Sequence, residues 1–203
     1  TMLATLFFTS CSEFNNIIKS GDYLYRYEAA KQYYADGKYT RAVVLLQDVI
    51  SVLKGTDKGE ESLYLLGISA YKARDYEAAA NFLKKYYETY TNGLYTQDAR
   101  FYNAMALYKN TPEPKLDQTE TYEAVTAFQN LLEIFPQSIY AKESQDMIFK
   151  LQDKLVEKEY LSAKTYFDLG SYFGNCNFGG NNYQACIITA ENAMRDYPYS
   201  KCR

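Results

Sequence analysis

Tyrosine is the side chain that gives this sequence most of its chemical capacity. The 203 residues include 23 Tyr and 11 Phe but neither Trp nor His. A phenol ring can stack on a partner while its hydroxyl forms a hydrogen bond, which suits the binding of other polymers. Without His the chain lacks the commonest general base and metal ligand, although carboxylates and Tyr can still act as acids and bases. We therefore predict a binding protein and not an enzyme.

Aromatic residues recur in pairs seven positions apart, as in Tyr27 with Tyr34. Seven residues is nearly two turns of α-helix, so both rings of a pair lie on one side of a helix. The pattern returns every 37 residues, at Tyr27, Tyr64 and Phe101. A fixed period of this size is typical of stacked supersecondary units. Each unit is predicted to be a helix, a short turn and a second helix.

The turn and the second helix of a unit follow the same period. Tyr39 corresponds to Tyr76, and Ala42 corresponds to Ala79. The order of small residue, aromatic residue, turn with Gly and Tyr, and Ala resembles the tetratricopeptide repeat. This resemblance implies an all-α solenoid of antiparallel helix pairs, with about four repeats visible. Because Gly favours the left-handed position after a helix, Gly37 is expected to end the first helix.

In a tetratricopeptide superhelix, the paired aromatic positions resemble those that face the concave groove. The resemblance predicts that this face binds a peptide or a partner protein. The alternative is that the rings pack between neighbouring repeats, which suits Phe better than Tyr because a phenol needs a polar partner or water. The predicted groove residues are Tyr27, Tyr34, Tyr64, Tyr71, Phe101, Tyr108 and, in a degenerate fourth unit, Tyr160.

Packing within each unit is predicted from a small residue and an apolar stripe. Gly67 occupies the repeat position of Ala30 and Ala104, where we expect the two helices of a unit to cross. The segment 54–59 contains two Gly residues and is predicted to be the linker to the second unit. The second helix of the first unit has apolar residues at three- and four-residue spacing. This stripe consists of Ala42, Leu45, Leu46, Val49 and Leu53.

The third unit departs from the first two. Pro112 and Pro114 forbid a continuing helix, so a long loop over 109–119 is predicted to replace the tight turn. Helical spacing of apolar residues over 139–172 predicts one long helix or two nearly collinear ones. Gly and Asn residues at 170–182 then predict a loop before a last helix.

The start of the sequence resembles a lipoprotein signal. Residues 1–10 are uncharged and apolar, about as long as the core of a signal peptide and too short to span a bilayer. Ser10 and Cys11 resemble the end of a bacterial lipoprotein signal, although Phe8 stands where that class prefers Leu. The resemblance implies a signal-peptide remnant of a longer precursor at 1–10, acyl chains such as palmitate on Cys11, and a lipidated tether at 11–22. The alternative is a free Cys in a disordered leader.

Five later stretches carry a more specific resemblance. They are Asp117-Gln118-Thr119, Ala124-x-x-x-Phe128, Phe135-Pro136-x-Ser138-x-Tyr140-Ala141, Leu151-x-x-x-Leu155-x-x-x-Glu159 and Arg195-Asp196-Tyr197-Pro198. In this order they resemble the BamD family, the tetratricopeptide lipoproteins of the outer-membrane β-barrel assembly machine. The resemblance covers most of the chain from Tyr23 onward. Since family members continue with another helical pair, we expect 23–203 to be a repeat domain truncated at its C-terminus.

The resemblance also implies a location and partners. It implies a lipid-anchored protein on the periplasmic face of the outer membrane that acts as a scaffold in assembly and membrane insertion of β-barrel proteins. The implied partners are BamA, the other subunits of the machine and unfolded outer-membrane β-barrel proteins. Apart from the covalent lipid on Cys11, no cofactor is expected.

Other classes of partner are weighed by charge and composition. The net charge is −3, with 22 Lys and Arg against 25 Asp and Glu and no basic cluster, so nucleic acid is not expected. The leading alternative function is glycan binding by a repeat lipoprotein like the SusD group, which also combines aromatic residues with a Cys anchor. Those proteins are much larger and typically use Trp. Cys176 and Cys186 either form a disulfide, which a periplasmic setting permits, or stay free.

Overall fold

Helices are the regular elements of this protein. The computed structural model describes residues 13–173, 182–198 and 200. In this part of the chain there is no β-strand, and a short helical segment at 13–19 precedes eight longer helices. The longer helices are α1 (Tyr23–Ala35), α2 (Tyr39–Leu53), α3 (Asp57–Lys72), α4 (Tyr76–Thr89), α5 (Thr96–Asn110), α6 (Thr119–Ile134), α7 (Ala141–Phe173) and α8 (Asn182–Asp196).

The helices pack in consecutive pairs within two compact units, residues 1–106 and 107–203. In the first unit α1 packs on α2, α2 on α3, and α3 on α4. In the second unit α7 packs on both α6 and α8. Stacked helix pairs of this kind form a tetratricopeptide-type solenoid, so the fold class predicted from the 37-residue period is confirmed. Within the described residues, none of the helices has both the length and the apolar character needed to cross a membrane.

Capping residues define both ends of α1, and the predicted role of Gly37 is confirmed. The Asp22 carboxylate accepts hydrogen bonds from the backbone N–H groups of Leu24 and Tyr25, at 2.9 and 3.1 Å. After the helix, Gly37 adopts a φ of +74°, the left-handed conformation that Gly adopts without steric cost. The residue 37 positions later is Arg74, and its φ is +66°. The turn geometry therefore repeats although the residue type does not.

The predicted core of the first unit is confirmed. The whole apolar stripe of α2 is buried, together with Ala30 and Leu66. Gly67 lies where α3 crosses α4, because a Cβ atom at this position would be 2.6 Å from Leu83 Cγ and 3.3 Å from the Leu83 backbone nitrogen. The expectation that a small residue marks the helix crossing is therefore confirmed for Gly67.

Two predicted loop boundaries are wrong, each at a glycine. The linker is shorter than 54–59, because α3 already begins at Asp57 and includes Gly59. A Cβ atom on Gly59 would collide with the carbonyl oxygen of Leu53, so this glycine permits the start of α3 to approach the end of α2. Gly170 likewise lies inside α7, where a Cβ atom would be 3.0 Å from the ring of Tyr183. The rest of the predicted loop, 174–181, falls outside the described residues.

The third unit has the predicted long loop and long helix. Residues 111–118 connect α5 to α6, and α7 is one helix of 33 residues. The buried side chain of Gln118 stabilises the loop through hydrogen bonds. Its Nε2 donates to the carbonyl oxygens of Glu113 and Leu116, at 2.8 and 3.1 Å. Its Oε1 accepts from Thr121 Oγ1 at 2.7 Å. The buried amide therefore replaces the backbone pairing that a tight turn would supply.

A lysine from α7 holds the other end of this loop. Lys154 Nζ donates to Thr111 Oγ1 at 2.7 Å and to the carbonyl oxygen of Pro112 at 2.8 Å. Burial lowers the pKa of the Lys154 ammonium group. Because α5 ends at Asn110, this cation also lies beside the C-terminal end of that helix, where positive charge is favourable.

Candidate partner-binding surface

Tyr27, the first ring of the first pair, belongs to the core. Its side chain is 1% exposed, and its hydroxyl donates to Glu61 Oε2 on α3 at 2.5 Å. Burial, followed by the hydrogen bond to Glu61, raises the pKa of Tyr27 to about 12. The Nζ atoms of Lys31 and Lys58 lie 5.3 and 5.1 Å from the ring centroid. Tyr27 therefore packs between neighbouring repeats, and its assignment to an open groove is corrected.

The first rings of the next two pairs, Tyr64 and Phe101, also pack against neighbouring aromatic rings. Phe101 is buried at 4% exposure, with its ring centroid 5.4 Å from that of Tyr102. Its assignment to an open groove is corrected as well, since an apolar ring is most stable in the core. Tyr64 is half-buried and stacks face to face on Tyr95, with centroids 4.3 Å apart and an interplanar angle of 4°.

The second rings of the pairs are more accessible. Tyr34 and Tyr71 are both half-buried, and each makes an edge-on contact with the first residue of the next helix, Tyr39 or Tyr76. Both contacts have a centroid distance of 5.6 Å and an interplanar angle of 63°. Burial, followed by the nearby hydroxyls of Tyr39 and Tyr102, raises the pKa of Tyr34. The phenol of Tyr34 therefore stays neutral at physiological pH and can donate a hydrogen bond.

A fifth ring joins these contacts into one surface. The ring of Tyr102, on α5, lies 5.2 Å from that of Tyr71 in an edge-on contact. Lys72 Nζ adds a positive charge 5.8 Å from the centroid of Tyr39. We call this surface of partly exposed residues in the first unit the tyrosine strip. It consists of Tyr34, Tyr39, Tyr71, Tyr76 and Tyr102.

Three residues of the tyrosine strip were not among the predicted groove residues. Tyr39 and Tyr76 share the 37-residue period, which was a usable signal, but the pattern assigned them to the turn. Tyr102 has no such signal, because the residue 37 positions earlier is Leu65. Its place in the strip depends on the packing of α5.

The last two predicted groove residues lie in the second unit. Tyr108 is half-buried, with Lys109 Nζ 5.6 Å from its ring centroid. Tyr160 is 62% exposed on α7 and lines an apolar cavity of about 210 Å³ between α7 and α8. Partner binding by Tyr108 and Tyr160 stays a prediction. The cavity is lined by Val156, Tyr160, Ala163, Ala190, Ala193, Met194, Tyr197 and Ser200.

The end of α8 is fastened to the rest of the second unit by hydrogen bonds. The hydroxyls of Tyr197 and Tyr122 are 2.9 Å apart, which joins the end of α8 to the start of α6. Ser200 Oγ donates to Asp153 Oδ1 on α7 at 2.7 Å. Burial, followed by the hydrogen bond with Tyr122, raises the pKa of Tyr197. The stretch around Tyr197 therefore has a structural role in this unit.

The structure offers no built site for a metal ion in the parts of the chain that it describes. No group of three or more His, Cys, Asp and Glu residues comes together there. Cys186, on α8, is a partly buried free thiol. Cys11 and Cys176 lie outside the described residues, so the lipid attachment and the state of Cys176 stay predictions.

The helix pairs and the repeated turn geometry define a tetratricopeptide-type repeat protein. The sequence pattern of the YfiO family, described as outer membrane lipoprotein, matches residues 23–201. The chain belongs to this family. It is also 26% identical over 171 residues to the putative outer membrane protein assembly factor BamD of Aquifex aeolicus (strain VF5). That match covers 83% of this chain and 56% of the relative, so the chain spans about half the length of the relative.

Proposed function

We propose that this protein is a non-enzymatic scaffold of the outer-membrane β-barrel assembly machine. In this proposal Cys11 carries the lipid that anchors the protein to the periplasmic face of the outer membrane. The repeats bind BamA and other subunits of the machine, and they receive unfolded β-barrel proteins for folding and insertion. The single observation that carries the proposal is the family match over 23–201, which favours this role over the glycan-binding alternative.

The tyrosine strip gives the client-binding part of the proposal a physical basis. An unfolded barrel strand is extended and alternates apolar with polar side chains. Tyr rings can cover the apolar side chains by stacking while the hydroxyls pair with backbone groups. The rings of the strip already contact one another, as Tyr71 contacts Tyr76 and Tyr102, so little side-chain entropy is lost when a segment binds.

Replacing two tyrosines of the strip tests this function. We expect Tyr71→Ser combined with Tyr102→Ser to weaken the binding of a fluorescent peptide that copies a barrel strand by roughly 30-fold, because one lost anchor typically costs 2 kcal/mol or more. The measurement is fluorescence anisotropy with the purified repeat domain. Tyr25→Ser is the matched control, since Tyr25 is 50% exposed at the start of α1 and lies outside the strip.

Two further measurements separate the possible results. Circular dichroism must show that the double variant keeps its helices, and co-purification with BamA from detergent-solubilised envelope is measured on the same variants. A folded double variant that binds the peptide as tightly as the parent removes the strip from the client site. A parent protein that co-purifies with no subunit of the machine contradicts the proposed function itself.

A further inference from the structure

A second surface with distinct chemistry lies in the second unit. A groove of about 440 Å³ lies between α6 and α7. This volume is within the range of about 300 to 1,000 Å³ that is typical of ligand sites. The groove is lined from α6 by Gln129 and Leu132 and from α7 by Gln145, Ile148, Phe149 and Gln152.

The groove is uncharged although its two helices are rich in charge. None of the six lining side chains can ionise. Positions beside them on the same helices are charged, among them Glu133, Asp146, Lys150 and Asp153. Since none of the lining side chains offers an opposite charge to compensate for lost hydration, this surface favours an uncharged occupant.

The polar groups of the groove are those that pair with a polypeptide backbone. Each Gln amide offers both a donor and an acceptor, as a peptide unit does. Gln145 and Gln152 are seven residues apart on α7, which is roughly 10.5 Å along the helix axis. That distance equals about three residues of extended chain. On one edge of an extended segment the N–H and C=O groups belong to every second residue, and an N–H and a C=O two residues apart are roughly 9 Å from each other. The two flexible amides can therefore pair with two such groups on one edge.

The apolar groups of the groove match the side chains of such a segment. Ile148 is buried between the two helices, whereas Phe149 is 37% exposed. Leu132 is half-buried on the α6 side. An extended polypeptide with alternating apolar residues can cover Phe149 and Leu132, whereas a sugar would place hydroxyl groups against them without partners.

We infer that the α6–α7 groove binds an extended, uncharged polypeptide segment, with the Gln amides pairing to its backbone and Phe149 packing on its apolar side chains. The inference rests on the proposed function, because such a segment would belong to an unfolded β-barrel protein. It differs from the tyrosine strip in what it recognises. The strip binds a segment mainly by stacking on its side chains, whereas the groove binds it mainly through the backbone peptide units.

The test compares the binding of two peptides that have the same side chains but differ in their backbone hydrogen-bond donors. The probe is a capped, fluorescent eight-residue peptide of alternating Val and Thr, beside the same peptide with alternate backbone nitrogens methylated. N-methylation removes donors without changing any side chain, so we expect it to weaken binding to the parent domain by about tenfold or more. Gln145→Glu combined with Gln152→Glu should weaken binding of the unmethylated peptide to a similar extent, because a carboxylate cannot donate.

A matched pair of substitutions controls for the added charge. Gln47→Glu combined with Gln97→Glu adds the same charge at exposed helical positions of the first unit and should change the affinity less than twofold. Gln and Glu have similar helix propensity, so circular dichroism should show equal helix content in all three proteins.

Each contrary outcome has a definite meaning. The inference is overturned if the parent binds the two peptides with equal affinity, or if it binds neither peptide. It is also overturned if the parent and the Gln145/Gln152 variant bind the unmethylated peptide with equal affinity. Displacement of the peptide by an uncharged N-acetylglucosamine oligomer overturns it in favour of a glycan. Co-purification with BamA is measured on the same protein preparations, and the Tyr71/Tyr102 variant is tested beside them. Failure of the groove inference can therefore be distinguished from failure of the proposed function.

Discussion

Tyr27 and Glu61 join the first two repeats through a hydrogen bond that changes the acidity of both groups. Lys31 Nζ lies 2.9 Å from Glu61 Oε1, so the carboxylate has the phenol on one oxygen and an ammonium group on the other. The hydrogen bond from Tyr27, together with the charge of Lys31, lowers the pKa of Glu61. A neutral phenol beside an ionised carboxylate is therefore the pair of states that folding favours.

This lowered pKa predicts an acid-sensitive contribution to stability. A carboxyl group whose pKa is lowered on folding stabilises the protein fully above its ordinary value of about 4.3. The contribution is lost as the pH falls through the folded-state pKa. We expect Glu61→Gln to lower the free energy of unfolding at pH 7 and to flatten its decrease below about pH 5, as measured by urea unfolding at a series of pH values.

The control for this prediction is Glu133→Gln, at an exposed position on α6. It should leave both the stability at pH 7 and its pH dependence near those of the parent. If Glu61→Gln and the parent lose stability in parallel on acidification, the contact between Glu61 and Tyr27 does not govern this part of the pH profile.

At the scale of elements, the turn between the two helices of a repeat carries a measurable strain. Gly37 and Arg74 occupy the same repeat position with φ values of +74° and +66°. A side chain in this conformation costs roughly 1 to 2 kcal/mol relative to Gly. We expect Arg74→Gly to raise the free energy of unfolding by about 1 kcal/mol and Gly37→Ala to lower it by a similar amount, measured by urea unfolding. A loss of stability in Arg74→Gly would show that the arginine side chain contributes more than the turn costs.

The crossing of α3 and α4 predicts a second effect on stability. A Cβ atom on Gly67 would lie 2.6 Å from Leu83 Cγ, so Gly67→Ala requires the leucine or the helix to shift. Overpacking of this kind costs about 1 to 3 kcal/mol. Gly21→Ala is the matched control, because a Cβ atom there meets nothing within 4 Å. Thermal unfolding should show a lower midpoint for Gly67→Ala alone, and equal midpoints would place Gly67 outside a tight crossing.

Glycines also show how far elements can be predicted from the sequence. The 37-residue period and the turn glycine predict helix boundaries because they report local backbone geometry, as at Gly37. A glycine required by a close approach looks the same in the sequence as a glycine that breaks a helix. Gly59 and Gly170 are therefore placed in loops by their residue type, whereas the structure needs them inside helices next to Leu53 and Tyr183.

The candidate site has a similar limit. Seven-residue spacing correctly places Tyr27 and Tyr34 on one helix, but spacing does not determine how deeply the next repeat covers each ring. That depth depends on contacts between distant parts of the chain, such as Tyr27 with Glu61, and Tyr71 with Tyr102. The sequence therefore predicts an aromatic surface, while the division between core ring and accessible ring requires the three-dimensional packing.

For the whole molecule, repeat architecture allows separate surfaces to be changed independently. Each repeat contacts mainly its neighbours, so a substitution in one unit leaves the packing of distant repeats intact. The tyrosine strip lies in the first unit and the α6–α7 groove in the second, while the proposed anchor, Cys11, precedes the repeats. Membrane location, binding at the tyrosine strip and binding at the α6–α7 groove should therefore separate in variants of the same chain.

The anchor is the part of this arrangement that can be tested in the cell. Acyl chains contribute about 0.8 kcal/mol per buried methylene, and two or more chains are needed for stable attachment to a bilayer. We expect the protein to incorporate labelled palmitate and to fractionate with the outer membrane, and we expect Cys11→Ser to abolish the label and move the folded protein to the periplasmic fraction. Cys186→Ser, which removes a free thiol on α8, is the matched control and should keep both the label and the location. Because contacts with other subunits can also hold a protein at the membrane, the membranes are washed with salt before their label and protein content are measured. A parent protein without label, or a Cys11→Ser variant that keeps its label, would show that Cys11 does not carry the lipid.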